Sequence, residues 1–216
     1  SDKLAAWDIE VRQGYCAENL EPPADLYIVG NVIRRVNPEA QALVASGREY
    51  TSFPKALGDR FLKDKHSVVI AGTHGKTTTT SLVAWLLTSA GRDPGMLVGG
   101  VPGNFGEGFR LGQGEHFVVE GDEYDTAYWD KVPKFVHYYP RTLFLTSLEF
   151  DHADIYPDVE TIERAFDEVV ALVPQDGRIF ACASAPRVMA RVEPAAAKVE
   201  TYTARDDVKA DWRAVS

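Results

Sequence analysis

Apolar residues occur in short runs between polar, glycine-containing stretches, and the other runs are arranged around Val68–Ala71. Four consecutive apolar, mostly β-branched residues read as a strand buried on both faces, as in a parallel sheet. Gly72-Thr73-His74-Gly75 follows as a turn, and from Lys76 the period changes. Leu82, Val83, Leu86, Leu87 and Ala90 recur at helical spacing, and Gly91 stands where a helix-ending glycine belongs. Further on, Met96–Val98, Phe117–Glu120, Leu143–Thr146, Ile179–Cys182 and Val199–Tyr202 read as strands. Asp158 reads as the N-cap of a helix with Val159, Ile162, Phe166, Val169 and Val173 on one face. Repeated β-α-β alternation predicts an α/β fold with a mostly parallel sheet and helices on both sides.

The first sixty-odd residues read as a smaller α/β unit of their own. Ile9–Val11 and Leu26–Val29 are its expected strands. Asn37 as N-cap, Pro38 at the first helical position and Gly47 as the stop predict a helix over 38–46. Ser52 is expected to cap a second helix running to about Leu62, with Gly58 weakening it. Lys63-Asp64-Lys65 connects to the Val68–Ala71 strand, so the expected domains are 1–65 and 66–216.

Composition narrows the function classes. The 216 residues are 45% hydrophobic and 25% charged, an ordinary globular balance with enough chain for a real core. A net charge of −9 argues against nucleic acid as a partner, whose electrostatic footprint is basic. No apolar run approaches the ~18 residues that a membrane helix needs, so no membrane partner is expected. Cys16 and Cys182 lie far apart with no CxxC or His-rich neighbourhood and read as reduced core residues of a cytoplasmic protein.

The chemistry concentrates at Gly72–Thr78. Strand, glycine turn, lysine, threonines and helix together describe a phosphate cradle. Backbone N–H groups at a helix start attract anionic oxygens, Lys76 adds a positive charge for β/γ-phosphates, and Thr77 offers a hydroxyl to Mg²⁺. Ile70 stands where the longer phosphate-loop pattern has its first glycine, so the form is the shorter Gly-Thr-His-Gly-Lys-Thr-Thr; an ordinary glycine turn ahead of a helix is the alternative. In parallel sheets ligands sit beyond the carboxyl ends of the strands. Glu120–Asp125 follows one such end and Glu149–Asp154 another. If both strands flank the phosphate-loop strand, their carboxylates and His152 converge on one Mg²⁺–phosphate site. A solvated acidic loop and a structural histidine are the alternatives.

Gly72–Thr78, then Glu120 with Asp122, Glu123 and Asp125, then Asp151-His152 resemble the central ATPase domain of the Mur ligases, which join amino acids or peptides to UDP-N-acetylmuramic acid precursors of peptidoglycan. His74 is similar to the branch that uses UDP-N-acetylmuramate. Gly99–Gly106, Glu120–Ala127 and the aromatic stretch Tyr128–Tyr139 resemble the branch that adds the murein tripeptide in peptidoglycan recycling. The resemblance implies a P-loop ATPase domain at 66–216 behind a partial, Rossmann-like UDP-binding domain at 1–65. It implies ATP and Mg²⁺ as cofactors, UDP-N-acetylmuramate and the tripeptide as substrates, and an acyl phosphate formed from the muramic-acid carboxylate and displaced by the peptide amine. Carried over, Thr73, His74, Gly75, Lys76, Thr77 and Thr78 face the nucleotide, with Lys76, Glu120 and His152 catalytic. Thr77 and Glu120 would hold one Mg²⁺, and His152 with Glu120 a second, while Gly99, Gly100 and Asn104 would face the UDP-sugar. Two departures stand out. Ser147 replaces an asparagine frequent in the family, and no lysine lies between Lys134 and Lys198 to serve as the carbamoylated metal ligand of some branches. The chain is expected to be an excerpt of a longer ligase, unable to ligate by itself because nothing would position the amine. An L-alanine-adding ligase, a folate-polyglutamating ligase and a non-catalytic nucleotide or UDP-sugar module are the competing readings.

Overall fold

The computed structural model describes residues 2–149 and 158–214. Two compact units emerge, Ser1–Phe53 with Thr126–Lys131, and Pro54–Asp125 with Val132–Ser216.

In the first unit, α1 (Asp2–Ala6) and a 3-10 turn (Ala17–Leu20) precede β1 (Tyr27–Val29), α2 (Pro38–Ser46) and β2 (Tyr50–Ser52). The strands β1 and β2 pair in parallel, with α2 as their crossover. Asn37 caps α2 by accepting from Ala40 N at 3.1 Å, and Gly47 ends it in the left-handed region at φ 66°. Both signals are local, and the expected 38–46 helix is found. Ile9–Val11, expected as a strand, has no regular structure. Ile9 and Val11 are about half exposed, so the run has no sheet face to bury and nothing to offset the cost of extending it. Ser52 ends β2 and stands directly before the helix that starts at Phe53. Cys16 is exposed and Cys182 half-buried, so neither is the core residue expected.

The second unit begins within α3 (Phe53–Leu57), which passes into a π-helical turn at Gly58–Leu62. Then come β3 (His66–Ala71), α4 (Lys76–Ser89), β4 (Gly95–Leu97), β5 (Phe109–Arg110) and β6 (His116–Gly121). A 3-10 turn (Lys134–Tyr138), β7 (Thr142–Leu145), α5 (Val159–Leu172), β8 (Arg178–Cys182), α6 (Pro186–Val192), β9 (Lys198–Thr203) and β10 (Trp212–Arg213) complete it. Eight strands form one sheet in the order β10-β9-β8-β7-β3-β6-β4-β5, parallel except for β5 against β4. The mostly parallel α/β sheet is as expected, and β5, α6 and β10 are additions too short to leave a periodic signal.

Alternation along β3 divides the core. Val68 and Ile70 pack with Ala84 of α4, Met96 and Val118, whereas Val69 and Ala71 pack with Phe135, Leu145, Ile162 and Phe166. The strand is thus buried on both faces, which is why its sequence is a continuous apolar run. The α5 helix buries Ile162, Ala165, Phe166, Val169 and Val170, with Asp158 accepting from Thr161 N at 2.8 Å as its cap. Phe166 meets Phe135 edge-on at 5.9 Å, and truncating such a buried ring typically costs about 3–5 kcal/mol.

The expected inward face of α4 needs correction. Leu82, Trp85 and Leu86 are exposed; Lys76, Thr80 and Ala84 are buried, with Val83 and Leu87 packed beside them. Residues 82–87 are all apolar, so periodicity could not choose a side.

At the amino ends of the central strands, His66 Nε2 lies 2.8 Å from Thr142 Oγ1, with the His116 ring 5.1 Å from that of His66. Burial, then the charges of His116 and Arg141, hold the His66 imidazole below its ordinary value, against a smaller upward pull from Glu115. A histidine whose pKa falls on folding stabilises the neutral-pH fold and loses that contribution as pH drops below about 6.5. The chain is therefore expected to lose thermal stability between pH 7.5 and 5.5 more steeply than its His66→Gln variant. Parallel melting-temperature profiles would refute this.

Candidate nucleotide-binding site

Register brings three strand ends level. Ala71 of β3 pairs with Gly121 of β6 on one side and with Leu145 of β7 on the other. The glycine loop, the acidic turn after β6 and the Thr146–Glu149 segment therefore emerge together at the point where the chain crosses from β6 over β3 to β7. This is where open α/β sheets bind ligands.

The loop is held by its neighbour. Thr73 N donates to Ser147 O at 3.1 Å, His74 N donates to Ser147 Oγ at 2.9 Å, and Thr146 Oγ1 donates to His74 O at 2.6 Å. Glu149 N donates to Thr73 Oγ1 at 3.2 Å. Ser147 thus braces the loop through both its carbonyl and its hydroxyl. Gly72 has φ 145°, and a Cβ there would stand 2.0 Å from Thr146 Oγ1. Gly75, at φ 79°, starts α4, whose first N–H groups have no intrahelical acceptor and face the loop.

Side chains at the mouth are sorted by charge. Lys76 is buried and its Nζ donates to Gly72 O at 2.7 Å and to Glu123 Oε2 at 3.0 Å. Thr77 Oγ1 donates to Glu120 Oε1 at 2.8 Å, while Gly99 N donates to Glu120 Oε2 at 2.8 Å. Asp122 instead accepts from Lys134 Nζ at 2.9 Å. Buried Tyr138 has its phenol pushed up by burial and by the charges of Asp122 and Glu120, so it stays protonated.

Thr77 and Thr78 are exposed, and with Ser81, Trp85, Asn104 and Phe105 they line a cavity of about 360 Å³. His74 is exposed, its Nε2 3.7 Å from Glu149 Oε2. Gly100 also lies against Thr77, a Cβ on it being 3.2 Å from Thr77 Cγ2. The structure therefore gathers Thr73, His74, Gly75, Lys76, Thr77, Thr78, Glu120, Gly99, Gly100 and Asn104 in one region. His152 lies outside the described residues.

Thr77 and Glu120 present a hydroxyl and a carboxylate oxygen within 2.8 Å of each other, a hard-oxygen pair that fits Mg²⁺, which takes few protein ligands. Among the described residues no group of three or more His, Cys, Asp or Glu side chains is placed to hold a metal. Sequence reasoning missed the partner of Lys76: Glu123 appeared only as one member of an acidic run. Nothing in the sequence marks this pairing, because it depends on β3 and β6 being neighbours.

A central parallel strand, a glycine loop, a buried lysine at the helix start and a carboxylate on the adjoining threonine define a phosphate-loop α/β domain. Residues 70–215 match the family model of the Mur ligase middle domain, and the chain belongs to the Mur ligase family. It is 50% identical over 180 residues to UDP-N-acetylmuramate–L-alanyl-γ-D-glutamyl-meso-2,6-diaminoheptandioate ligase of Escherichia coli, covering 83% of this chain and 39% of that protein. It is 34% identical over 213 residues to UDP-N-acetylmuramate–L-alanine ligase of Anaeromyxobacter sp., covering 98% of this chain and 44% of that one. A crystal structure of UDP-N-acetylmuramate:L-alanyl-γ-D-glutamyl-meso-diaminopimelate ligase from Neisseria meningitides superposes with a TM-score of 0.90 at 40% identity, covering 96% of this chain and 70% of that chain. The chain thus spans about two fifths of the length of the curated relatives it matches. No helix among the described residues is long and apolar enough to cross a membrane.

Proposed function

We propose that this chain carries the ATP-binding core of a ligase that joins L-alanyl-γ-D-glutamyl-meso-diaminopimelate to UDP-N-acetylmuramate in the bacterial cytoplasm, as a step of peptidoglycan recycling. The 50% identity to the E. coli ligase of that name carries this reading, since the L-alanine ligase is only 34% identical. In this proposal residues 66–216 form the ATPase domain and 1–65 part of the UDP-binding domain. Gly75, Lys76, Thr77 and Thr78 cradle the ATP phosphates, with Thr73 and His74 completing the loop. Lys76 offsets the repulsion between an attacking carboxylate and the γ-phosphate, the main physical obstacle in forming an acyl phosphate. Thr77 and Glu120 would hold Mg²⁺, which when bound supplies further positive charge at the phosphates; His152 is the expected ligand of a second ion. The cavity shared by Asn104 and Thr77 supports a place for the UDP-sugar beside the phosphates.

The test is phosphate release from ATP by the ligase that contains this chain, with UDP-N-acetylmuramate and either the tripeptide or L-alanine. Turnover with the tripeptide alone is expected. Turnover with L-alanine alone would favour the second reading, an L-alanine-adding ligase, which the 98% coverage by that relative keeps in view. No turnover with either amine would leave a nucleotide or UDP-sugar module.

Glu120→Gln keeps size and hydrogen bonding and removes the charge. It is expected to raise the Mg²⁺ concentration needed for half-maximal turnover on the order of tenfold, with the fold intact. An unchanged Mg²⁺ titration would mean that another carboxylate carries the metal.

A further inference from the structure

Glu123 has no part in the roles proposed for Thr77 and Glu120, yet at 1% exposure it is the most deeply buried carboxylate among the described residues. Taking a carboxylate out of water is costly unless it is paired, and Glu123 pairs with Lys76 at 3.0 Å. Two acceptors reach Lys76 Nζ among the described residues, the loop's own Gly72 carbonyl and Glu123 Oε2. An ammonium has three donors, so one N–H is left for a ligand. A lysine on a free four-carbon stem would spread over many rotamers, and binding would have to order it. Glu123 does not drift either. Its turn is clamped by Lys134, whose N donates to Tyr124 O at 3.1 Å and whose Nζ donates to Asp122 Oδ2 at 2.9 Å. An antiparallel bridge between Asp125 and Pro133 closes the same turn.

We propose that Glu123 is a positioning residue for nucleotide phosphates: its buried carboxylate fixes the Lys76 ammonium in the loop before ATP arrives and leaves the third N–H for the β/γ oxygens. The proposal rests on the reading of Gly72–Thr78 as a phosphate cradle. It differs from a metal-ligand role, because Glu123 reaches Lys76 while Glu120 reaches Thr77. It also differs from a competitor role, in which phosphate would have to displace the carboxylate.

Calorimetric titration with ATP and with AMP, which lacks the β/γ-phosphates, separates these roles. The proteins compared are the wild type, Glu123→Gln, Lys76→Met and the double variant, in which both members of the pair are neutral. Glu123→Gln is expected to weaken ATP about tenfold, one charge-assisted hydrogen bond's worth, and to leave AMP unchanged. In the Lys76→Met background the same change is expected to have no effect on ATP, because Glu123 acts through the lysine. A purely structural role would lower both nucleotides' affinities and persist in that background. Should Glu123→Gln fail to fold, Glu123→Asp keeps the charge but moves it, and the same ATP-specific loss is expected. Unchanged or tighter ATP binding in the folded Glu123 variant would overturn the proposal, as would an equal loss in both backgrounds. If Lys76→Met itself binds ATP like the wild type, the phosphate-cradle reading fails first, and the proposal with it.

Discussion

Lys76→Ala is expected to lower ATP-dependent turnover of the ligase containing this chain by on the order of a thousandfold. Phosphoryl transfer asks little covalent chemistry of the protein; positioning and charge stabilisation supply most of the rate. Lys76 Nζ is anchored by Gly72 O and Glu123, so its loss removes positive charge where the γ-phosphate would meet an anionic nucleophile. The same change breaks the buried ion pair with Glu123, so a stability loss of about 3–5 kcal/mol is expected alongside. Measuring phosphate release at a denaturant-free temperature well below unfolding separates the two effects. Near-normal turnover by the folded variant would remove the basis for the ATP site.

The second large effect falls on stability. Gly72→Ala is expected to cost about 3 kcal/mol or more, from a backbone conformation that side chains avoid together with a clash that cannot relax. Its φ is 145°, and the added Cβ would stand 2.0 Å from Thr146 Oγ1, 2.9 Å from Ser147 N and 3.0 Å from Ser147 O. Two of those three atoms are backbone, held by the hydrogen bond between Thr73 N and Ser147 O. Gly75→Ala provides the control. That residue also has positive φ, but nothing lies within 4 Å of its Cβ position, so only about 1–2 kcal/mol of left-handed backbone cost applies. Urea unfolding of the two variants decides it: equal losses would mean that the loop is not braced by the β7 exit.

Much of the fold was legible because its signals are local. Asn37 and Asp158 cap helices through contacts three residues away, and Gly47 stops α2 through its own backbone. β3 declared itself as an apolar run because both its faces are covered, and α5 because polar residues separate its buried positions. The phosphate loop was legible for the same reason, being one continuous stretch whose glycines, lysine and threonines are needed at fixed spacing.

What depended on neighbours in space was not legible. Six consecutive apolar residues in α4 offered two faces, and packing of Ala84 against Val68, Ile70 and Val118 chose one, leaving Leu82, Trp85 and Leu86 outside. Ile9–Val11 looked like a strand but found no partner to bury against. Spacing along the chain does not say which of Glu120, Asp122 and Glu123 meets which partner. Only the adjacency of β6 to β3, in register from His66–His116 to Ala71–Gly121, gives the first to Thr77 and the third to Lys76, while Lys134 takes the second. Local backbone preference and hydrophobic period determine where strands and helices lie along this chain. Which carboxylate meets which partner is decided by strand order, because pairings 43 and 47 residues apart are made only once the sheet is assembled.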